Sequence, residues 1–428
     1  RLRSRGLGDV YKRQMKYLII VGDGMADERM PQLGGKSPLE VADIPTINRL
    51  ARQGVVGHAQ NCPPGFSVGS DIAHLSILGC DPSKHFHGRG PMEAAALGFA
   101  VEPTDAVFRC NLLTMEDGDG PLDEKGFVSF NAGCIEGEDA LEVVRTLKAD
   151  PDFAAALKKY DMELRETPTF RQILIHHHGD FEGLYFETNW EGVKGPCKQV
   201  FPRGNEAKAE PYLTLMRLAN KALEHAPINE RRRKEGKLPA NGIWLWAEGK
   251  AAKLPSLQER YGKSGAVVAA VPVVKGLGAM CGLDMVDVEG ANGEIDTNIE
   301  GKVEAAWEMV NSHDFVLVHL EAPDECAHAG DLKNKIQAIE WLDSRLITPL
   351  LGKMDEAKME YRLLIISDHR TFVRTKQHEG SPVPFILYDS RVDTKRGVTY
   401  TEENGMNGPD VPHGDKLLDI LFENIPLL

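Results

Sequence analysis

Three apolar runs of this sequence close on an aspartate: KYLIIVGD at Asp23, FVLVHLEAPD at Asp324 and YRLLIISD at Asp368. Each run is short and apolar enough to be a strand buried on both faces. In a parallel sheet the carboxyl ends of the strands share one edge, and ligands bind at that edge. One aspartate placed there reads as an ordinary helix N-cap; three can converge. Two of them have histidines close by. In APDECAHAGD, Asp324 and His328 stand four apart, on one face of a helical turn. In SDHRTFVRTKQHEG, His369 follows Asp368 at once and His378 comes nine residues later.

Carboxylate together with neutral imidazole suits Zn²⁺ or Mn²⁺, whereas Mg²⁺ prefers oxygen alone. A hydroxyl joins the set from PPGFSVGSDIAHLSILGCDP, where Ser70 precedes a helical pattern beginning at Asp71. The candidate ligands are thus Asp23, Ser70, Asp324, His328, Asp368, His369 and His378. Seven are too many for one ion and suit a two-metal site that clamps a phosphoryl group for in-line displacement. A serine hydroxyl is a weak nucleophile until a metal activates it. The first amides of the helix would also face an incoming phosphate. Ser67 reads as a turn residue and Ser76 as buried on the helix.

Positioning these residues requires strands alternating with helices, the pattern of a mostly parallel sheet covered by helices. GAVVAAVPVV and PVPFILYD read as further buried strands, EGKVEAAWEMVNS and DLKNKIQAIEWLDSRLITPLLGKM as helices. SPLEVADIPTINRLARQG reads as a helix interrupted near Pro45 and closed by Gly54. The middle of the chain differs. AVFRCNLLTMEDGDGPLDEKGFVSF and TFRQILIHHHGDFEGLYFETNW have the look of hairpins with turn-rich connections. The pattern predicts an α/β metal-binding domain from residues 15–84 and 240–428, interrupted by an α+β insertion over residues 85–239. Residues 1–14, RLRSRGLGDVYKRQ, are basic and unpatterned and read as an extraneous leader ahead of Met15.

The 428 residues carry a net charge of −14, and the leader alone contributes five basic residues and one acidic. So acidic a chain would be repelled by nucleic acid or an anionic membrane. Its longest apolar candidate for a membrane span is broken by Pro272 and followed by Lys275. Seven cysteines without CxxC spacing argue for reduced thiols, buried as small apolar side chains in a cytoplasmic protein.

The motifs GDGMAD, SVGSDIAHLSILG, DECAH and SDHRT…QHEG together resemble the alkaline-phosphatase superfamily. Closest are its archaeal-type, cofactor-independent phosphoglycerate mutases, and the resemblance extends through GRGPMEAAALG, FRCNLLT and YGKSGAVVAAVPVVKGLG. It implies a split site, with Asp23, Ser70, Asp368 and His369 on one metal and Asp324, His328 and His378 on the other. Ser70 would take the phosphoryl group of 3-phosphoglycerate and return it to the 2-hydroxyl, with no 2,3-bisphosphoglycerate required, while the inserted substrate-binding domain over residues 85–239 held the glycerate and excluded water. The two divalent ions would be Mn²⁺ foremost, with Zn²⁺, Co²⁺ or Mg²⁺ as alternatives.

A small phosphorylated acid also needs fixed cations, and Arg suits carboxylate and phosphate bidentately. The candidates are Arg89 in HGRGPMEA, Arg109 in FRCN, Arg171 in TFRQ and Lys263 in YGKSG, with Lys275 behind them. One departure from the family stands out. The Arg-rich stretch of archaeal-type mutases has as its counterpart LDEKGFVSFNAGCIEGED, which holds no arginine. A subgroup associated with homoserine phosphorylation is therefore the second reading, and hydrolysis of phosphomonoesters on the same scaffold the third. A structural metal site would be Cys-rich and closed, unlike this carboxylate-rich set. Both GKS tripeptides lack the upstream glycine of a P-loop, GLGAMCG has the wrong spacing for a dinucleotide loop, HHH at His176 reads as exposed loop, and ERRRKEG as a solvated helix or linker.

Overall fold

A computed structural model describes residues 15–187, 190–250 and 253–423, so the leader lies outside the described residues. The chain forms two compact units, one ending at Phe86 and resuming at Leu254, the other being His87–Lys253.

The first unit is built on an eight-stranded sheet. Its order is Asp284–Val286, Gly265–Val268, Phe315–Leu320, Lys16–Gly22, Tyr361–Ile366, Val383–Asp389, Val55–Ala59 and Asp410–Val411. The central strand Lys16–Gly22 runs parallel to both Phe315–Leu320 and Tyr361–Ile366. Nearly every residue of these three strands is buried, which is why their sequences are continuous apolar runs rather than alternating ones. The sheet is mostly parallel, with one exception to expectation. Val383–Asp389, read as one more buried strand, is antiparallel to both of its neighbours.

Several elements end where backbone chemistry ends them. The helix expected to break near Pro45 does so, as Pro38–Val41 under a Ser37 capping box and Pro45–Gln53 closed at Gly54. GAVVAAVPVV is not one strand. Gly265–Val268 is the strand, and Pro272, at ease in a first helical turn, opens the helix Pro272–Met280. DLKNKIQAIEWLDSRLITPLLGKM is helical throughout but passes through a π-turn at Leu342–Ile347.

The second unit has its own antiparallel sheet, ordered Phe127–Ser129, Ala106–Met115, Arg171–His176 and Met162–Arg165, with Gly242–Lys250 also pairing to Ala106–Met115. Its core gathers Phe108, Trp190, Tyr212 and Trp244. The strand Gly242–Lys250 corrects the expected boundary at residue 240, since its backbone is spent on the inserted sheet. Likewise NERRRKEGKLPANG leads into that strand rather than into a linker, and Arg232 within it is buried on Asp139 and the Ala132 carbonyl. The first expected hairpin forms, Ala106–Met115 with Phe127–Ser129. The second does not. Arg171–His176 pairs with Met162–Arg165 and Ala106–Met115, and Leu184–Tyr185 pairs instead with Arg203–Gly204. The histidine triplet is engaged rather than free, with His176 on Tyr212, His177 on Asp105 and His178 on Thr104. Among the described residues no helix is long and apolar enough to cross a membrane.

Candidate functional site

All seven candidate ligands fall in the first unit and come together at the carboxyl ends of its three central strands. Asp23 directly follows the strand Lys16–Gly22. Asp324 lies in the first turn of the helix Ala322–Ala329, four residues past Leu320, and His328 is one turn further along that helix. Asp368 and His369 follow the strand Tyr361–Ile366, and His378 returns on a two-stranded ribbon, Arg370–Phe372 with Gln377–Glu379. Ser70 begins the helix Ser70–Ile77, one residue earlier than its sequence pattern implies.

Two overlapping groups result, Asp23 with Asp368 and His369, and Asp324 with His369 and His378. In the first, Ser70 Oγ stands 3.4 Å from Asp23 Oδ2 and 3.3 Å from His369 Nε2. His369 Nε2 is 3.2 Å from Asp368 Oδ2 and 3.6 Å from Asp23 Oδ1. In the second, His328 Nε2 is 3.2 Å from Asp324 Oδ2 and His378 Nε2 is 3.6 Å from Asp324 Oδ1.

The chemistry of these atoms calls for a cation. The Nδ1 atoms of His328 and His378 face the carbonyl oxygens of Lys376 and Val68, which only an N–H can satisfy. In its neutral form each ring would turn its Nε2 lone pair to an ion, and those two atoms are 2.8 Å apart beside a carboxylate. In the first group Asp23 Oδ1 and Asp368 Oδ2 are buried with no hydrogen-bond partner. Unpaired buried carboxylate oxygens are costly, and divalent ions are the usual remedy. The residues fit a pair of metal ions.

Without an ion the groups compromise. Burial and the nearby Asp368 carboxylate push Asp23 well above the usual carboxylate range, so it keeps a proton. Burial also opposes charge on Asp368, but His369 and His74 outweigh it and hold that carboxyl at about 2. For Asp324, burial is overcome by hydrogen bonds from His328 and His378, leaving it ionised. The Asp324 hydrogen bond lifts His328 to about 9.

Several participants went unread in the sequence. His319 Nε2 lies 3.0 Å from Asp23 Oδ2, and burial keeps the ring neutral. Its sequence signal was a lone histidine inside FVLVHL, five residues before Asp324. His74, one turn after Ser70, bonds the Ser70 carbonyl through Nδ1 and stands 3.7 Å from Asp368 Oδ2. Asn61 ties down the carbonyls of Ser367 and Asp368.

The cationic candidates fare unevenly. In the inserted unit Glu93 joins Arg89 and Arg109, each at 3.1 Å, and Arg109 also stacks 4.4 Å from the centre of the Trp246 ring. Arg171 is exposed beside Phe170, its strand position opposite Asn111. Lys263 is misplaced as a site residue. Its ammonium lies 4.6 Å over Tyr17, at the amino end of the strand whose carboxyl end leads to Asp23. Six residues of strand put about 20 Å between them. Lys275 is spent on Asp287.

A parallel sheet that gathers carboxylates, imidazoles and a helix-borne serine at one edge is the build of a metal-dependent phosphotransfer enzyme, and the comparisons agree. The family model of the metalloenzyme superfamily matches residues 15–417. A Geobacter sulfurreducens protein named probable 2,3-bisphosphoglycerate-independent phosphoglycerate mutase is 37% identical over 411 residues, covering 96% of this chain and 100% of that protein. A Methanothrix thermoacetophila mutase of the same name is 39% identical over 380 residues, covering 88% of this chain and 92% of that one. Among solved structures, the cofactor-independent phosphoglycerate mutase of Thermoplasma acidophilum superimposes with a TM-score of 0.65 at 26% identity, covering 96% of this chain and 100% of that one. The chain belongs to the metalloenzyme superfamily and, within it, to the family of 2,3-bisphosphoglycerate-independent phosphoglycerate mutases.

Proposed function

We propose that the chain interconverts 3-phosphoglycerate and 2-phosphoglycerate through a phosphoserine at Ser70. The observation that carries this is the Ser70 hydroxyl at a helix N-terminus, within 3.4 Å of Asp23 and 3.3 Å of His369, beside carboxylate oxygens that lack partners. Asp23, Ser70, Asp368 and His369 would hold one divalent ion and Asp324, His328 and His378 the second, Mn²⁺ suiting this mixed oxygen and nitrogen set. Bound ions would neutralise charge developing on the transferred phosphoryl group and favour the deprotonated serine.

The chain's own groups supply the rest. Ser70 Oγ forms a bond to phosphorus as the bond from phosphorus to the substrate's C3 oxygen breaks. Asp23 Oδ2 accepts from the Ser70 hydroxyl and aims it. The Ser70 and Asp71 amides, at the head of the helix Ser70–Ile77, face the phosphate oxygens. Glycerate's 2-hydroxyl then attacks phosphorus, the bond to Ser70 breaks, and the proton lost at O2 balances the one gained at O3. Arg89, Arg109 and Arg171 remain the proposed acid-binding groups of the inserted unit, and Lys263 is withdrawn. Seven free cysteines, Cys134 alone exposed, suit a reducing cytoplasm.

The test is Mn²⁺-loaded protein given 3-phosphoglycerate, quenched in acid and mapped by peptide mass spectrometry. Phosphate on the Ser70 peptide with 2-phosphoglycerate as product supports the reading. Free phosphate as the sole product makes the chain a hydrolase. Turnover that persists in Ser70→Ala removes Ser70 from the chemistry. Transfer to homoserine from a phosphate donor, without mutase turnover, moves the chain to the second reading.

A further inference from the structure

We propose that Thr371 is the positioning residue that couples the two ligand groups through its single hydroxyl; this rests on the two-metal reading above. Thr371 is fully buried. Its Oγ1 lies 2.5 Å from Asp324 Oδ1 and 3.1 Å from His369 Nδ1. The Thr371 hydroxyl donates its one proton to Asp324 Oδ1. Oγ1 is then left to accept, and His369 must donate through Nδ1–H. That fixes the His369 tautomer and leaves its Nε2 lone pair facing Asp23 and Asp368. One hydroxyl thus ties Asp324 of the second group to His369, the residue that both groups share.

The hydroxyl is held in place from several directions. The Thr371 N–H donates to the Ala26 carbonyl at 3.2 Å, and its own carbonyl accepts from Lys335 Nζ at 2.7 Å. Lys335 is buried against Asp27 at 2.8 Å, so this clamp is itself fixed. Across the ribbon Thr371 pairs in register with His378. Gly24 leaves the space the hydroxyl occupies, since a Cβ there would come within 2.5 Å of Oγ1. Partners that set ligand orientation and tautomer in this way commonly govern metal affinity.

Thr371→Val keeps the side-chain volume and removes both hydrogen bonds, whereas Thr371→Ser keeps the hydroxyl. Full-length protein stripped with chelator and titrated calorimetrically with Mn²⁺ alone should bind about 10- to 100-fold more weakly in Thr371→Val, for both ions, and within about threefold of wild type in Thr371→Ser. Thermal unfolding of the stripped proteins separates this from loss of fold. Wild-type affinity in Thr371→Val overturns the proposal. So does a Thr371→Ser protein as weak as the valine variant, which would assign the effect to packing of the methyl group. Should the valine protein not fold, Thr371→Ala against Thr371→Ser makes the same comparison. A wild-type chain that takes up no Mn²⁺ refutes the metal reading itself, a distinct result.

Discussion

Gly24→Ala is the sharpest probe of the site's geometry because a single methyl group would meet two of its atoms. Gly24 has φ of +55°, and a Cβ there would lie 2.5 Å from Thr371 Oγ1 and closer still to Asp324 Oδ1. Ordinary contact begins near 3.4 Å, so Thr371 or Asp324 must retreat by 3.4 − 2.5, about 0.9 Å. Misplacing a catalytic group by ~1 Å costs about 100-fold in rate, some 2.7 kcal/mol of barrier. The left-handed backbone separately costs about 1–2 kcal/mol of stability. Gly34 isolates that second effect. Its φ is +67° and nothing lies within 4 Å of where its Cβ would be. Gly34→Ala should therefore lose about 1–2 kcal/mol in urea unfolding and Gly24→Ala about 1–3 kcal/mol more from the clash, while Gly24→Ala alone loses about two decades of kcat for 2-phosphoglycerate formation. Equal kcat in the two variants would show that the Asp324–Thr371 contact does not position the chemistry, and the reasoning would fail.

Metal uptake should also be linked to protons. In the stripped protein His328 keeps its proton to about 9, through its hydrogen bond to Asp324, and Asp23 is protonated by burial and Asp368. Both protons must leave before these atoms can ligate, so the His328 proton alone should make Mn²⁺ affinity rise by roughly tenfold per pH unit below pH ~9, and release of the Asp23 proton should add to that rise. Calorimetry in buffers of different ionisation enthalpy counts the protons, and a pH-independent affinity with none released would contradict the ligand set. Lys335→Met should destabilise the protein by about 3–5 kcal/mol in urea, because Asp27 would be left as an unpaired buried charge. Adding Asp27→Asn should recover much of the loss, and a double variant no better than the single would deny the pairing. Asp324→Asn should reduce Mn²⁺ stoichiometry from two ions towards one, read by elemental analysis of dialysed protein, and two tightly held ions would exclude Asp324 as a ligand.

What the sequence disclosed and what it hid follow from the range over which each signal acts. The three aspartates were legible because a buried parallel strand is a continuous apolar run, so its end can be located, and parallel neighbours must end at one edge. His319 was hidden because a histidine within an apolar strand has the same local signature as a core residue. Only the register, with His319 opposite Val21, brings it beside Asp23. Thr371 had a signal that passed unread: it stands two residues after His369, and every second residue of an extended segment shares a face. Lys263 illustrates the opposite error. Lys263 in YGKSG has the charge of a substrate-binding group, but it precedes the strand Gly265–Val268, whereas ligands gather where parallel strands finish. The misjudged hairpin at Arg171–His176 has a different cause, since its partners are 60 and more residues distant in Ala106–Met115 and merely close by in Met162–Arg165, and pairing partners leave no mark on the strand itself.

The ligands divide by how the fold holds them, and the division has a chemical consequence. Asp23, Asp368 and His369 sit directly at strand ends and are almost wholly buried. His328 and His378 come from a short helix and a two-stranded ribbon, with side chains 35% and 25% exposed. Charge interactions are stronger where water is excluded, so a cation among Asp23, Asp368 and His369 would be bound more firmly and exchange more slowly than one beside His328 and His378. Ser70 Oγ contacts Asp23 and His369, two of these buried residues. Under the proposed reading the nucleophile would be anchored on the firm side, with the more exposed histidines on the other. In an in-line displacement the entering and leaving oxygens lie on opposite sides of phosphorus. A serine nucleophile on the buried side would leave the leaving oxygen on the open side, where glycerate could turn and present its second hydroxyl while the phosphoryl group stayed fixed.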